Sequence, residues 1–295
     1  MRYYFIKILI ISILCVFVIG CDATKRVPEG RHLLKENTVQ VNGIKTDDAK
    51  INNFVIQKPN SYILGMPLSL YIYNLANPKS EQEFASWLDK HPRWHHFLTK
   101  VLSEKQVGRL QKSFLVSGID HQLQKIGEAP AVLDTAKVRR TTKQLGAYYR
   151  SIGYFNTKVT DSIFVLPQEN KRLAEVKYYI TSGEQYKIDS LKTRITSPEI
   201  DSIYKLHLGK TLLKSGNPYR LTDFSAERAR LYELFRNNGF YTFQQSSINF
   251  EIVRDTVAAQ KDPYLQVTTD IGDLVERDGD VITTKKYKVH RINKV

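Results

Sequence analysis

Leu145 to Phe155 reads LGAYYRSIGYF, and 86 residues further on Leu231 to Tyr241 reads LYELFRNNGFY. Leu145 aligns with Leu231, Arg150 with Arg236 and Gly153 with Gly239. Aromatic residues match at three more positions: Tyr149 with Phe235, Tyr154 with Phe240, and Phe155 with Tyr241. Upstream, Val138, Leu145, Tyr148, Tyr149 and Ile152 recur at i, i+7, i+10, i+11 and i+14, one stripe of a helix. Phe224, Leu231, Leu234 and Phe235 repeat that spacing. The glycine after each stripe can take the left-handed conformation that ends a helix. An aromatic pair then opens an extended segment.

Period-two segments surround these helices. Ala174, Val176, Tyr178 and Ile180 alternate with Glu175, Lys177, Tyr179 and Thr181, and Leu265, Val267, Thr269 and Ile271 show the same period. Such alternation marks strands with one covered and one solvated face. Tyr186-Lys187-Ile188 opens a further strand, and Tyr287-Lys288-Val289 resembles its start at an offset of 101. The second copy therefore reads Tyr186–Ile195, Pro198–Lys205, Thr222–Asn238, Phe240–Ile252 and Tyr264–Ile271, in the order β-α-α-β-β. The compact solution is a three-stranded mixed sheet with helices on one face, so the fold class is α+β with tandem units. Residues 36–183 form the first domain, whose strand Thr38–Gly43 precedes a helical insertion at about 58–130. Residues 184–272 form the second, and 285–295 the first strand of an incomplete third.

The N-terminus is of another kind. Arg2 and Lys7 flank the apolar run Ile8–Ile19, which ends in Val18-Ile19-Gly20-Cys21. A positive start, a short apolar core and a small residue at the cut predict a signal peptide over residues 1–20. The core is shorter than the roughly 20 residues a membrane span needs. Cys21 directly after the small residue resembles the lipobox of bacterial lipoproteins, which implies that Cys21 is acylated and becomes the mature N-terminus. Residues 21–35 then read as a tether. The only other cysteine, Cys15, lies in the leader. No pair therefore remains to staple the body, and its stability comes from apolar cores. The chain carries 44 Lys+Arg against 30 Asp+Glu. Export argues against nucleic acid, and a spread basic excess suits anionic membrane surfaces or acidic partners.

A β-α-α-β-β unit whose second helix ends in a Gly-aromatic turn, repeated outside the cytoplasm, resembles the POTRA domain. The motifs are Tyr149–Phe155 and Phe235–Tyr241. With Cys21, Val27-Pro28-Glu29-Gly30, Lys58-Pro59-Asn60, Ile63–Pro67 and Tyr73-Asn74, the pattern is similar to the periplasmic part of TamA-like lipoproteins (TamL) of Bacteroidota. These belong to the Omp85/BamA superfamily of outer-membrane assembly factors. The resemblance implies no enzyme activity, and a lipid-anchored position at the outer membrane facing the periplasm. It implies unfolded outer-membrane proteins as clients and a TamB-like inner-membrane partner. No cofactor is expected beyond the covalent lipid. The family's C-terminal barrel is absent from this sequence, so a scaffold without client handling is the alternative function. In the family the second strand of each unit is the sheet edge, where an extended client can pair. Here that implies Phe155–Val165 and Thr242–Ile252, with Thr157, Val159, Gln244, Gln245 and Ser247 as partner-binding residues.

Catalytic motifs are not evident: the sequence has no G-x-S-x-G, H-E-x-x-H or P-loop. His91, His95 and His96 beside Trp94 are the one cluster of metal-like residue types, and a metal hydrolase built there is a distant third reading. Pro92 disfavours a regular helix through His91 and His95, and no third ligand is evident. An aromatic-histidine surface patch is the expectation.

Overall fold

The computed structural model describes residues 22–111, 118–167, 172–254 and 263–291. Cys21, the leader and the last four residues therefore lie outside the described residues.

The first strand, β1 (Leu33–Val41), turns at Asn42-Gly43 into the two-residue β2 (Ile44–Lys45). Both turn residues have positive φ, 50° and 83°, as a tight hairpin requires. Five helices follow: α1 (Ala49–Asn52), α2 (Leu68–Leu75), α3 (Ser80–Lys90), α4 (Pro92–Gln111) and α5 (Ile119–Ile126). Helix α6 (Thr135–Ser151) carries the first repeat motif and leads into β3 (Lys158–Val165) and β4 (Leu173–Thr181). The sheet order is β2-β1-β4-β3. Leu33 N–H donates to the Arg172 carbonyl and Asn42 N–H to that of Ile180, so β1 and β4 run parallel. The alternation read from sequence holds along β4, where Ala174, Val176, Tyr178 and Ile180 are buried. The sheet has four strands where three were expected, because the Asn42-Gly43 turn adds β2.

The second copy begins with β5 (Lys187–Ile195), then α7 (Pro198–Leu206) and α8 (Leu221–Asn237), then β6 (Ile248–Arg254) and β7 (Tyr264–Ile271). Its three strands are ordered β5-β7-β6, with β5 parallel and β6 antiparallel to β7. Leaving aside β2, both sheets place their first strand beside their third and leave the second at an edge. The core joins Ile200 and Tyr204 of α7 to Leu231 and Phe235 of α8, with Phe240, Phe243, Ile248 and Ile271. Phe240 and Phe243 enter this core from a turn, so the strand expected from Phe240 starts only at Ile248. A hairpin of β8 (Leu274–Asp278) and β9 (Val281–Lys285) follows.

By packing the chain divides into two compact units. One comprises residues 22–40, 45–141 and 161–178, and the other 41–44, 142–160 and 179–291, as far as described. Two expectations change. Residues 22–32 are packed where a tether was read: Thr24 and Val27 are buried, and Asn74 Nδ2 donates to the Asp22 and Ala23 carbonyls. Val27 with Leu33 and Leu70 makes a small apolar core, enough to hold this stretch down. Residues 286–291 form no strand among the described residues. Tyr287 instead buries its ring against Phe243, 4.7 Å between centroids.

No helix among the described residues is long and apolar enough to cross a membrane.

Candidate functional site

The sheet edges were the expected working surface, and β6 shows how much of that surface is free. Gly272 N–H donates to the Ser247 carbonyl at 3.0 Å, just outside the Ile248–Ile271 register pair. In an antiparallel ladder bonded and non-bonded pairs alternate. Asn249, Glu251 and Val253 therefore bond to β7, while Ile248, Phe250, Ile252 and Arg254 turn their N–H and C=O groups outward. The Ile248 carbonyl is already taken by Arg228 Nε of α8 at 3.1 Å, the guanidinium lying over the Phe250 ring. The available edge thus runs from Phe250 to Arg254. Side chains alternate along it, with Ile248, Phe250 and Ile252 toward the helices and Asn249, Glu251 and Val253 exposed.

Of the residues implicated by sequence, Val159 lies on β3, the outer strand of its sheet, and is half-buried. Thr157 precedes that strand, and its hydroxyl donates inward to the Tyr154 and Ser182 carbonyls. Gln245–Ser247 form a single helical turn before β6, and Gln244 precedes it. Ser247 is buried, its hydroxyl 2.6 Å from that of Tyr287. These three residues sit beside the start of the edge and not on it, because the strand opens late. Tyr232, Arg236, Tyr241, Gln244 and Gln245 instead border a cleft of 590 Å³, where the Arg236 guanidinium lies over the Tyr232 and Tyr241 rings.

Each repeat motif builds the same joint. Tyr154 N–H donates to the Tyr149 carbonyl and Phe240 N–H to that of Phe235, the six-to-one closure of a helix stopped by a left-handed residue. Gly153 and Gly239 are that residue, with φ of +94° and +91°. The Gly153 carbonyl accepts from Tyr186 N–H at 2.9 Å, and the Gly239 carbonyl from His290 N–H at 2.7 Å. Phe155 meets the Tyr186 ring edge-on at 5.3 Å, and Tyr241 meets His290 the same way at 6.2 Å. The structural counterpart of Tyr186 is therefore His290, three residues beyond the sequence match at Tyr287.

One buried charge escaped the sequence reading. Glu227 of α8 has 1% of its side chain exposed and accepts from Arg230 Nε and Nη2 at 2.9 and 2.7 Å. Leu212 N–H and the Thr211 hydroxyl complete its shell at 2.9 and 3.0 Å. Burial pushes the carboxyl up. The Arg230 hydrogen bonds, the Leu212 amide, the Arg230 charge and the Thr211 hydroxyl outweigh this and hold it below its ordinary value. The signal was available: Glu227 falls on the Phe224–Leu231 stripe with Arg230 at i+3.

His91 and His95 do not share a helix. α3 ends at Lys90, and α4 restarts at Pro92, a residue suited to a first helical position. His91 Nδ1 donates to the Trp87 carbonyl at 2.7 Å, and its ring stacks on Trp87. Among the described residues no group of three His, Cys, Asp or Glu side chains is placed to hold a metal.

No family model and no curated protein matches the sequence. Among solved structures, the chain is similar to POTRA3-5 of BamA from Haemophilus influenzae at 13% identity, covering 84% of this chain and 70% of that one, with a TM-score of 0.37. POTRA1-2 of the periplasmic domain of Omp85 from Anabaena aligns at 10% identity over 84% of this chain and 99% of its own, with a TM-score of 0.31. CdiB from Escherichia coli aligns at 10% identity over 86% of this chain and 30% of its own, with a TM-score of 0.26.

Proposed function

We propose that this chain is a lipid-anchored, POTRA-type periplasmic arm of the TamL kind, working in outer-membrane protein assembly. It binds extended client segments by adding them as strands to its sheet edges. The observation that carries the reading is the β6 edge, where Phe250 to Arg254 present outward backbone groups on a strand that, among the described residues, is paired on one side only. Pairing there draws affinity from the main chain and asks little of the client's sequence, which suits a factor that handles many unfolded strands. The repeated strand-helix-helix-strand-strand order and the two glycine joints support the domain type. Cys21 after a short apolar leader supports the anchor, and a TamB-like protein is the inner-membrane partner that the resemblance implies.

A photo-crosslinker at Val253, whose side chain is 51% exposed, tests client capture in cells. Adducts to unfolded outer-membrane proteins are expected, with further adducts from Val159 on β3. Ile252→Pro removes an outward N–H without touching the ladder to β7 and should abolish the Val253 adducts. No adducts from either position would refute strand addition. Such an outcome favours the scaffold reading, for which Arg228 capping the Ile248 carbonyl is the one favouring observation. Labelling with radioactive palmitate tests the anchor separately, and Cys21→Ala should lose the label.

A further inference from the structure

Helices α3 and α4 expose apolar side chains that the proposed strand-binding edge does not use. Trp94 is 55% exposed, Phe97 54% and Val101 62%. They fall at i, i+3 and i+7 of α4, within about 60° of helical arc at 3.6 residues per turn. Trp87, 41% exposed, extends the row from α3, its ring 6.4 Å from that of Trp94, which meets Phe97 edge-on at 6.0 Å. Arg93 and Lys100 border the row on α4, and Lys90 ends α3 beside it, all three exposed. From Phe84 to Leu102 these three cations face a single carboxylate, Asp89. Val107, by contrast, is buried beyond the break in α4 at Ser103, where φ is 52°.

Exposed indole and phenyl rings bordered by Arg and Lys are the side chains that settle at a bilayer interface, rings at headgroup depth and cations on phosphates. Charge complementarity selects the occupant: Lys90, Arg93 and Lys100 beside the rings match phosphate headgroups over an apolar layer. We propose that the Trp87–Val101 row is a docking surface for the anionic face of a lipid bilayer. Position agrees. Asp22, next to Cys21, is bonded through its carbonyl to Asn74, six residues before α3 begins, so the N-terminus is fastened to the same unit as the row. The proposal rests on the lipid-anchor reading only for that proximity.

Trp87 and Trp94 are the only two tryptophans in the chain, so its emission reports on this surface alone. The mature chain from residue 21, carrying Cys21→Ala and lacking the leader, is titrated with vesicles of phosphatidylcholine alone and with phosphatidylglycerol added, with and without brominated acyl chains. Removing the acyl chain separates failure here from failure of the anchor, which palmitate labelling reads. A blue shift and bromine quenching with anionic vesicles are expected. They should weaken about 30-fold in the exposed double variant Arg93→Glu/Lys100→Glu. Circular dichroism should show that variant folded. No shift, or an equal shift on neutral vesicles untouched by charge reversal, overturns the proposal. So does a blue shift that rises with protein concentration without vesicles, which would assign the row to a second copy of the chain.

Discussion

Glu227→Gln changes one atom type in a buried carboxylate, and the geometry around that atom sets the cost. Each oxygen of Glu227 accepts two hydrogen bonds, one from Arg230 and one from the 211–212 segment. An amide has one accepting oxygen and one donating nitrogen. In one orientation its NH₂ group faces two donors, Arg230 Nε and the Leu212 N–H. In the other it faces Arg230 Nη2 and the Thr211 hydroxyl, which can turn to accept, so an arginine donor is opposed either way. Hydrogen bonds to charged groups contribute about 1.5–3 kcal/mol each, and removing one member of a buried pair costs about 3–5 kcal/mol. Arg230 keeps 21% of its side chain exposed and can recover water, so the lower end applies. We expect a loss of about 3 kcal/mol, read by urea unfolding under circular dichroism. Hydrogen exchange over residues 205–254 places the loss, since both tryptophans lie elsewhere. Replacing both partners, Glu227→Leu with Arg230→Met, should cost less than Glu227→Gln alone, because no charge is left unpaired.

The pH dependence follows the same carboxylate. Its folded value lies below the ordinary value of 4.5, so the unfolded chain binds the proton more readily. The contribution is complete above the unfolded value and is lost as pH falls through the folded one. Wild-type protein should therefore lose stability in acid more steeply than Glu227→Gln. A Gln variant within about 0.5 kcal/mol of wild type at pH 7, the scale of an ordinary surface change, refutes the reasoning. Equal acid slopes would refute the pH argument.

The two joint glycines should differ in thermal melts. A Cβ at Gly153 would stand 2.9 Å from the Tyr219 carbonyl oxygen, which is backbone, whereas at Gly239 it would meet the Val289 Cγ1 at 2.9 Å. Gly239→Ala should cost the left-handed penalty of about 1–2 kcal/mol, and Gly153→Ala clearly more. Matched aromatics should differ as well. Phe155 packs 5.0 Å from Tyr219 and 5.3 Å from Tyr186, under the Arg254 guanidinium, while Tyr241 is 67% exposed. Phe155→Ala should cost about 3 kcal/mol and Tyr241→Ala under 1, with equal losses counting against the packing described here.

The helix stripe, the glycine stops and the alternation of β4 and β7 were legible because each follows a local period or a backbone demand. Leu145 and Leu231 are both fully buried, as their alignment required. What sequence did not show depends on distant partners. The start of β6 moved to Ile248 because Phe243 found a place against Phe235 and Tyr287, which no local pattern announces. Residues 22–32 looked like a tether because their anchors, Asn74 and Leu70, lie about fifty residues away. At the candidate edge, the strand's outer position was readable from the resemblance. Which of its groups are free was not, since that follows from ladder parity and from Arg228 on another element.

The repeat acts through backbone more than through side chains. At both joints the glycine carbonyl accepts an N–H from the segment that leaves the sheet, although that donor comes 33 residues later at Tyr186 and 51 later at His290. The β8–β9 hairpin takes up part of the difference without disturbing the bond. A Cβ at either glycine meets atoms 2.9 Å away, so the close approach, not the neighbour's identity, is what the motif secures. The side chains around the two joints are then free to diverge. One arginine shows this. Arg150 is matched in sequence by Arg236, yet only Arg236 among the described contacts lies over two tyrosine rings, at the mouth of the 590 Å³ cleft. A shared glycine turn with differing surroundings lets the two repeat motifs keep one backbone closure while presenting different surfaces.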